Sequence, residues 1–449
     1  MTFSEIFMSR LHHILKGTII LTATGLLTRF MGFFYRMFLS HSFGEDGVGL
    51  YQLIFPVYAL GFSLTSAGIE LAISRSVSKT YALGNKKRAR DILYTGMILS
   101  LALSLLITLL LQKYSNLIAV HFLHNSETAS LLLLLSYVFP FAAIHSCIVG
   151  YYLGVKETKI PAISQLIEQS GRILSVLLIY KLSTIYNFKF QIIFSVLGII
   201  IGEIFSALFC LKYISGKLLP ASIPSLSHES FFSCTKELLT ISCPVTANRV
   251  LLNLLQSIEA TSIPLSLSLY GYDTAKALGI YGVLTGMALP CILFPSAITN
   301  AVSTMLLPTV AEIQALQNRS SLNRIMKKTI VSCTLLGSLC CAFFQIFGTF
   351  AGKFLFNSTL AGKFIVTLSW ICPFIYTNNT LISMINGIGK TVISFIINTI
   401  SLSIRIGSVL LIIPSYGIYG YLTGLLISQI FIFIACTMYL YRQFKAEVI

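Results

Sequence analysis

RILSVLLI, residues 172–179, and RIGSVLLI, residues 405–412, agree at seven of eight positions and lie 233 residues apart. Both open on an arginine set in an apolar run. Two further pairs fall at nearly the same offset: VGLYQL at 48–53 with LGIYGV at 278–283, and GIIIGE at 198–203 with GLLISQ at 424–429. Isolated matches of Ile, Leu, Gly and Ser arise by chance in any apolar chain, and GIYG also recurs off register at 417–420. Three offsets that agree within seven residues favour a duplicated chain.

The chain between and around these segments reads as membrane. Of its 449 residues, 55% are hydrophobic and 10% charged, and the mean hydropathy is +0.84. About 20 consecutive apolar residues cross a bilayer as a helix. Twelve such segments are expected, at roughly 14–38, 49–73, 92–112, 129–153, 160–182, 189–214, 238–265, 277–305, 328–350, 360–386, 389–413 and 417–441. The expected fold is therefore all-α and integral to the membrane. Six helices at 1–220 form an N-terminal lobe, and six at 221–449 form a C-terminal lobe. An even number of spans per half relates the lobes by an axis along the membrane normal.

The net charge of +16 would suggest nucleic acid in a soluble chain. Here the cations sort by loop. With the amino terminus inside, most of the 31 Lys and Arg fall in inner loops and chain ends, among them Arg75, Lys79, Lys86, Lys87, Arg88 and Arg90. The positive-inside bias places both termini in the cytoplasm and turns the basic loops toward anionic lipid, with no nucleic-acid partner. Met1 to Lys16 lacks a long apolar core, so no cleavable leader is expected. The ten cysteines form no CxxC pair, and only Cys340 and Cys341 adjoin. They read as packing residues, neither a disulfide framework nor a zinc site.

Five arginines lie within expected spans: Arg29, Arg36, Arg172, Arg249 and Arg405. A charge at the centre of a span costs ~2.5–3.5 kcal/mol on insertion scales, so such residues usually face a bundle interior or wet cavity. Arg29 and Arg36 are seven apart, two turns along one helical face; Arg36, nearer the outer end, either lines that wall or snorkels to headgroups. Glu168 stands four residues before Arg172, so that arginine either pairs within its helix or meets substrate. Arg405 has Ser401 at the equivalent place and no such built-in partner, which makes it the better candidate for a cavity charge. Arg249, near Asn248 and Asn253, either joins the cavity or packs against Glu203 or Glu259. Guanidinium groups bind phosphate and carboxylate oxygens bidentately, so an anionic substrate is expected. The acids within spans, Glu70, Glu168, Glu203 and Glu259, are candidates for ion coupling or gating by Na+ or H+.

Pro56, Pro140, Pro244, Pro290, Pro295 and Pro373 mark places where spans bend. No HExxH, GxSxG or GxGxxG occurs. GKT at 389–391 has Met384 where a phosphate loop needs its first glycine. His121, His124 and His145 are scattered and read as incidental. A transporter without cofactor or resident metal is expected, not an enzyme.

LTRFMGFFYR at 27–36, EDGVGLYQLIFPVYAL at 45–60, AGIELAISRSVSK at 67–79 and QLIEQSGRI at 165–173 resemble the polysaccharide-transport branch of the multidrug/oligosaccharidyl-lipid/polysaccharide exporter superfamily. Within it they are most similar to the stage V sporulation protein B group, cousins of the lipid II flippase MurJ. The resemblance covers essentially the whole chain. It implies a MATE/MurJ-like flippase of a bacterial plasma membrane that moves an undecaprenyl-pyrophosphate-linked oligosaccharide or peptidoglycan precursor outward by alternating access. In that family helix 1 arginines line the cavity, and Arg29 and Arg36 match them by motif. Two further carboxy-terminal helices found in many relatives are missing, which leaves the path of the lipid tail open, and Glu259 stands where relatives often have aspartate. The alternatives are a cation-coupled multidrug exporter of the same superfamily and a non-transporting partner of a cell-wall or polysaccharide synthase.

Overall fold

The computed structural model describes residues 3–218, 228–315 and 319–445. The expected lobe boundary at 220/221 and the two chain ends lie outside the described residues. Almost all of the rest is helical, with no strand among the described residues. In chain order the α-helices are α1 (Phe3–Leu53), α2 (Phe55–Phe62), α3 (Gly68–Ala82), α4 (Lys86–Leu117), α5 (Thr128–Leu135), α6 (Val138–Gly154), α7 (Lys159–Tyr186), α8 (Ile193–Leu218) and α9 (His228–Leu269). There follow α10 (Thr274–Gly282), α11 (Leu289–Leu293), α12 (Ser296–Ala315), α13 (Arg319–Phe356), α14 (Thr359–Leu368), α15 (Cys372–Gly387), α16 (Thr391–Gly407), α17 (Ile413–Tyr416) and α18 (Ile418–Lys445).

Each of the twelve expected spans falls on helical chain. Nine helical stretches among the described residues are long and apolar enough to cross a membrane, and the pair α5 and α6, bent by 41°, makes a tenth. The 64-residue stretch Ile19–Ala82 contains two of the expected spans, since a straight helix of that length would run far beyond a ~30 Å hydrocarbon core. α1 breaks at Gly44, φ 66° and ψ −168°, a conformation essentially confined to glycine. α7 is not among the nine, because Glu168, Arg172 and the glutamines beside them lower its hydropathy.

Prolines set other breaks. Pro290 and Pro414 have no N–H to return to the preceding turn, and each lies just after a π-helical turn, Val283–Ala288 and Ser408–Ile412. SVLLI is therefore a π turn at 408–412 and ordinary α-helix at 175–179, inside α7.

The chain divides into two compact units. The first holds residues 1–32 and 53–257, the second residues 33–52 and 258–449. This division does not follow the expected 1–220 and 221–449, because two long helices each contribute to both units. Hydrogen bonds give the reason: in the second unit Ser40 Oγ donates to the Phe356 carbonyl at 2.8 Å and Ser358 Oγ to Glu45 at 2.5 Å, anchoring the end of α1. In the first, Asn253 Nδ2 donates to Ser63 Oγ at 2.6 Å, anchoring α9.

The core of the first unit is built from α3, α4, α6, α8 and α9 around Ile73, Val77, Ile92, Ile148, Cys210 and Leu238. That of the second joins α12, α13, α15, α16 and α18 around Val310, Met326, Leu381, Ile385, Ile432 and Leu440. Large apolar side chains are left exposed in rows, such as Leu105, Leu106 and Leu109 on α4 and Phe343, Ile346 and Phe350 on α13. In a polypeptide whose helices satisfy their own backbone groups, such rows are the lipid-facing surface.

Candidate functional site

Among the described residues, the acids Glu168, Glu203 and Glu259 inside the spans are each held by a cation, the first two in one network of the first unit and the third in the second. In the first unit α7 and α8 approach backbone to backbone. A Cβ on Gly202 would stand 2.5 Å from the Glu168 carbonyl and 3.3 Å from Cβ of Arg172. Only because position 202 has no side chain can the two helices come close enough to set Glu203 beside Glu168. α6 adds His145.

The imidazole is held on both sides. Nδ1 lies 3.1 Å from Glu203 Oε2, and Nε2 lies 3.1 Å from Ser164 Oγ and 2.9 Å from Ser206 Oγ. Ser164 Oγ donates to the Pro161 carbonyl at 2.9 Å, and Ser206 Oγ to the Ser164 carbonyl at 3.1 Å. With both hydroxyl protons directed to backbone oxygens, the serines are left to accept from Nε2. A carboxylate on the other side also accepts, so an imidazolium satisfies every partner. Arg172 Nη2 donates to Glu168 Oε1 at 2.7 Å. Glu203 is thus matched by His145 and Glu168 by Arg172. One ligand atom from each of His145, Glu168 and Glu203 lies within 4.8 Å of the others, and Tyr58 and Glu70 lie within electrostatic reach.

In the second unit the counterpart arginine is neutralised differently. Arg405 Nε and Nη2 each donate to Glu259, to Oε1 and Oε2, at 2.6 Å. Tyr421 Oη donates to Oε1 at 2.8 Å. The Glu259 side chain is 4% exposed, so three donors from α16 and α18 replace its water. Beside it a neutral ladder joins α15 and α18, in which Asn378 Nδ2 donates to the carbonyl and to Oε1 of Gln429, both at 2.9 Å.

The structure distributes the sequence candidates unevenly. Arg172 pairs with Glu168, one of its two expected states. Arg405 is no uncommitted cavity charge: its partner comes from α9, 146 residues earlier, where helix spacing cannot reveal it. His145 is not incidental but the centre of the first network, its polar ring signalled only by HS within the apolar run FAAIHSCIV. Glu203 is taken by His145 and Glu259 by Arg405, which leaves neither as the partner of Arg249. Arg29 and Arg36 on α1 and Arg249 on α9 are exposed, and Arg249 acts electrostatically on Glu70. Tyr421, Asn378 and Gln429 were missed, with only polarity inside an apolar span to mark them.

Residues 14–314 match the family described as polysaccharide biosynthesis protein. Stage V sporulation protein B of Bacillus subtilis (strain 168) is 28% identical over 412 residues, 90% of this chain and 79% of that protein. Among solved structures, an inward-facing multidrug resistance MATE family transporter of the MOP superfamily superposes with a TM-score of 0.75 at 14% identity, over 96% of this chain and 98% of the other. The lipid II flippase MurJ in an inward closed conformation gives 0.72 at 17% identity, over 94% and 87%. The fold is shared with these multi-pass membrane transporters, and the chain belongs to the polysaccharide biosynthesis protein family.

Proposed function

We propose that this protein is a flippase that carries an undecaprenyl-pyrophosphate-linked oligosaccharide or peptidoglycan precursor across the bacterial plasma membrane by alternating access, its termini in the cytoplasm. Family membership supports the reaction class. The observation that carries the substrate class is the division among intramembrane arginines: Arg172 and Arg405 are neutralised by carboxylates, whereas Arg29 and Arg249 hold exposed guanidiniums on α1 and α9. Arg36, seven residues beyond Arg29, continues its face. Exposed guanidiniums suit a pyrophosphate, which accepts bidentate bonds. A drug cation would be repelled by them.

The test is flipping of a fluorescent undecaprenyl-pyrophosphate sugar in proteoliposomes by wild type, Arg29→Ala and Arg249→Ala, each confirmed as folded. Transport in wild type and its loss in both variants supports the reading. Transport of organic cations in place of the lipid points to a multidrug exporter, and no flux of either points to a partner of a synthase.

The first network supports a proton as the coupling ion. Its ligand spacing admits a cation such as Na+, but the acids are already matched by His145 and Arg172, and a histidine is the side chain that exchanges a proton near neutral pH. Flux driven by an imposed pH gradient, indifferent to Na+ and lost in His145→Gln, is the expected result. Flux that follows a Na+ gradient overturns it.

A further inference from the structure

Within the first unit, α3, α4 and α9 line an open cavity of about 710 Å3 that takes no part in either network. Its wall carries Arg75, Lys79, Arg88 and Lys236 against one acid, Glu237. Arg88 Nη2 is spent on Glu237 Oε2 at 3.0 Å and on Ser233 Oγ at 3.3 Å. The side chains of Arg75, Lys79 and Lys236 make no hydrogen bond or ion pair among the described residues. Three uncompensated cations around one hollow repel each other unless an anion joins them. Lys79 lies in the last turn of α3, where a cation suits the helix dipole, but that accounts for one of the three.

The remaining wall is apolar: Leu71, Ile241, Pro244 and Val245. Hydropathy divides the two halves. Arg75 and Lys79 come just after the expected span 49–73, where headgroups are expected, whereas Ile241, Pro244 and Val245 belong to the expected span 238–265. A free phosphate has no use for an apolar floor, and a lipid with an ionised phosphate fills both halves. The volume is within the range of small-molecule sites, ~300–1,000 Å3.

We propose that this cavity binds the phosphate headgroup of an anionic lipid in the leaflet that the basic loops face. The site does not depend on the transport reading, and its test needs no flux.

The full chain in a neutral detergent is titrated with dioctanoyl phosphatidic acid, dioctanoyl phosphatidylcholine and inorganic phosphate, with thermal unfolding as readout. Phosphatidic acid produces a saturable rise in Tm and phosphatidylcholine none. In Arg75→Gln/Lys79→Gln the midpoint concentration rises about tenfold or more, since each cation near a lipid surface contributes ~1 kcal/mol. Lys86→Gln/Lys87→Gln, which removes equal charge outside the cavity, leaves it unchanged. Equal losses in the two double variants, or none in either, overturn the site. Inorganic phosphate acting as well as phosphatidic acid, with the same dependence on variant, overturns the lipid as its occupant. Should Arg75→Gln/Lys79→Gln not fold, Lys236→Gln is read by the same criteria.

Discussion

Arg405 closes a fork on Glu259, Nε to Oε1 and Nη2 to Oε2 at 2.6 Å each, and so ties α16 to α9. Its repeat mate Arg172 reaches Glu168 on its own helix, four residues away, with one nitrogen at 2.7 Å. The same arginine in the same local sequence therefore serves a tertiary joint in one unit and a local pair in the other.

Removing one member of a buried pair strands the other charge, at a cost of ~3–5 kcal/mol. Glu259→Ala and Arg405→Ala are each expected to lower Tm sharply, whereas Glu259→Leu/Arg405→Met, which leaves no orphan charge, is expected to recover most of the loss. Thermal unfolding followed by size-exclusion fluorescence measures it. A double variant that is as unstable as the sum of the singles shows the pair to be uncoupled.

Arg172→Ala should be milder, because it strands Glu168, whose side chain is 20% exposed, whereas Arg405→Ala strands Glu259 at 4% exposed, and a charge that water can still reach costs less to leave unpaired. Its smaller Tm loss, set beside that of Arg405→Ala in the same assay, checks the contrast between the units.

His145 is expected to bear on the proposed transport more than on folding. Over the range in which histidine changes charge, about pH 5 to 8, the wild-type rate is expected to vary with pH and the His145→Gln rate to be flat. A His145→Gln profile that parallels wild type removes the ring from the transport cycle.

Gly44→Ala forces a Cβ into φ 66°, ψ −168° and should cost ~1–3 kcal/mol. Gly25→Ala is the control, since it is helical and a Cβ there meets nothing within 4 Å; it should be neutral or stabilising by up to ~1 kcal/mol. Differential scanning fluorimetry separates the two.

Gly202→Ala tests the close approach of α7 and α8. The added methyl would lie 2.5 Å from the Glu168 carbonyl, so α7 and α8 must part and Glu203 must move away from Glu168. The variant should flip more slowly than Gly25→Ala at equal protein content.

Sequence alone determined the solvent and the class of fold. Hydropathy is a property of composition and spacing, and the spans expected from it fall on helical chain, nine or ten stretches of it long and apolar enough to cross a membrane among the described residues, because a bilayer leaves a backbone little choice but to bond within its own helix. The Glu168–Arg172 pair was legible for the same reason: helix geometry fixes which residues four apart can meet. Even the different forms of SVLLI follow from sequence, through Pro414 after one copy and none after the other.

Tertiary structure decided which charges are spent and which remain exposed. Arg405 read as unpaired, since Glu259 lies 146 residues away, and His145 read as incidental until α6, α7 and α8 placed two acids and two serines around it. Residues 33–52 joined the second unit through Ser40 and Glu45, whose partners Phe356 and Ser358 stand more than 300 residues along the chain. Helical periodicity states which side of a helix a residue occupies. It says nothing of which other helix will face that side, because packing is set by shapes brought together only when the chain has folded.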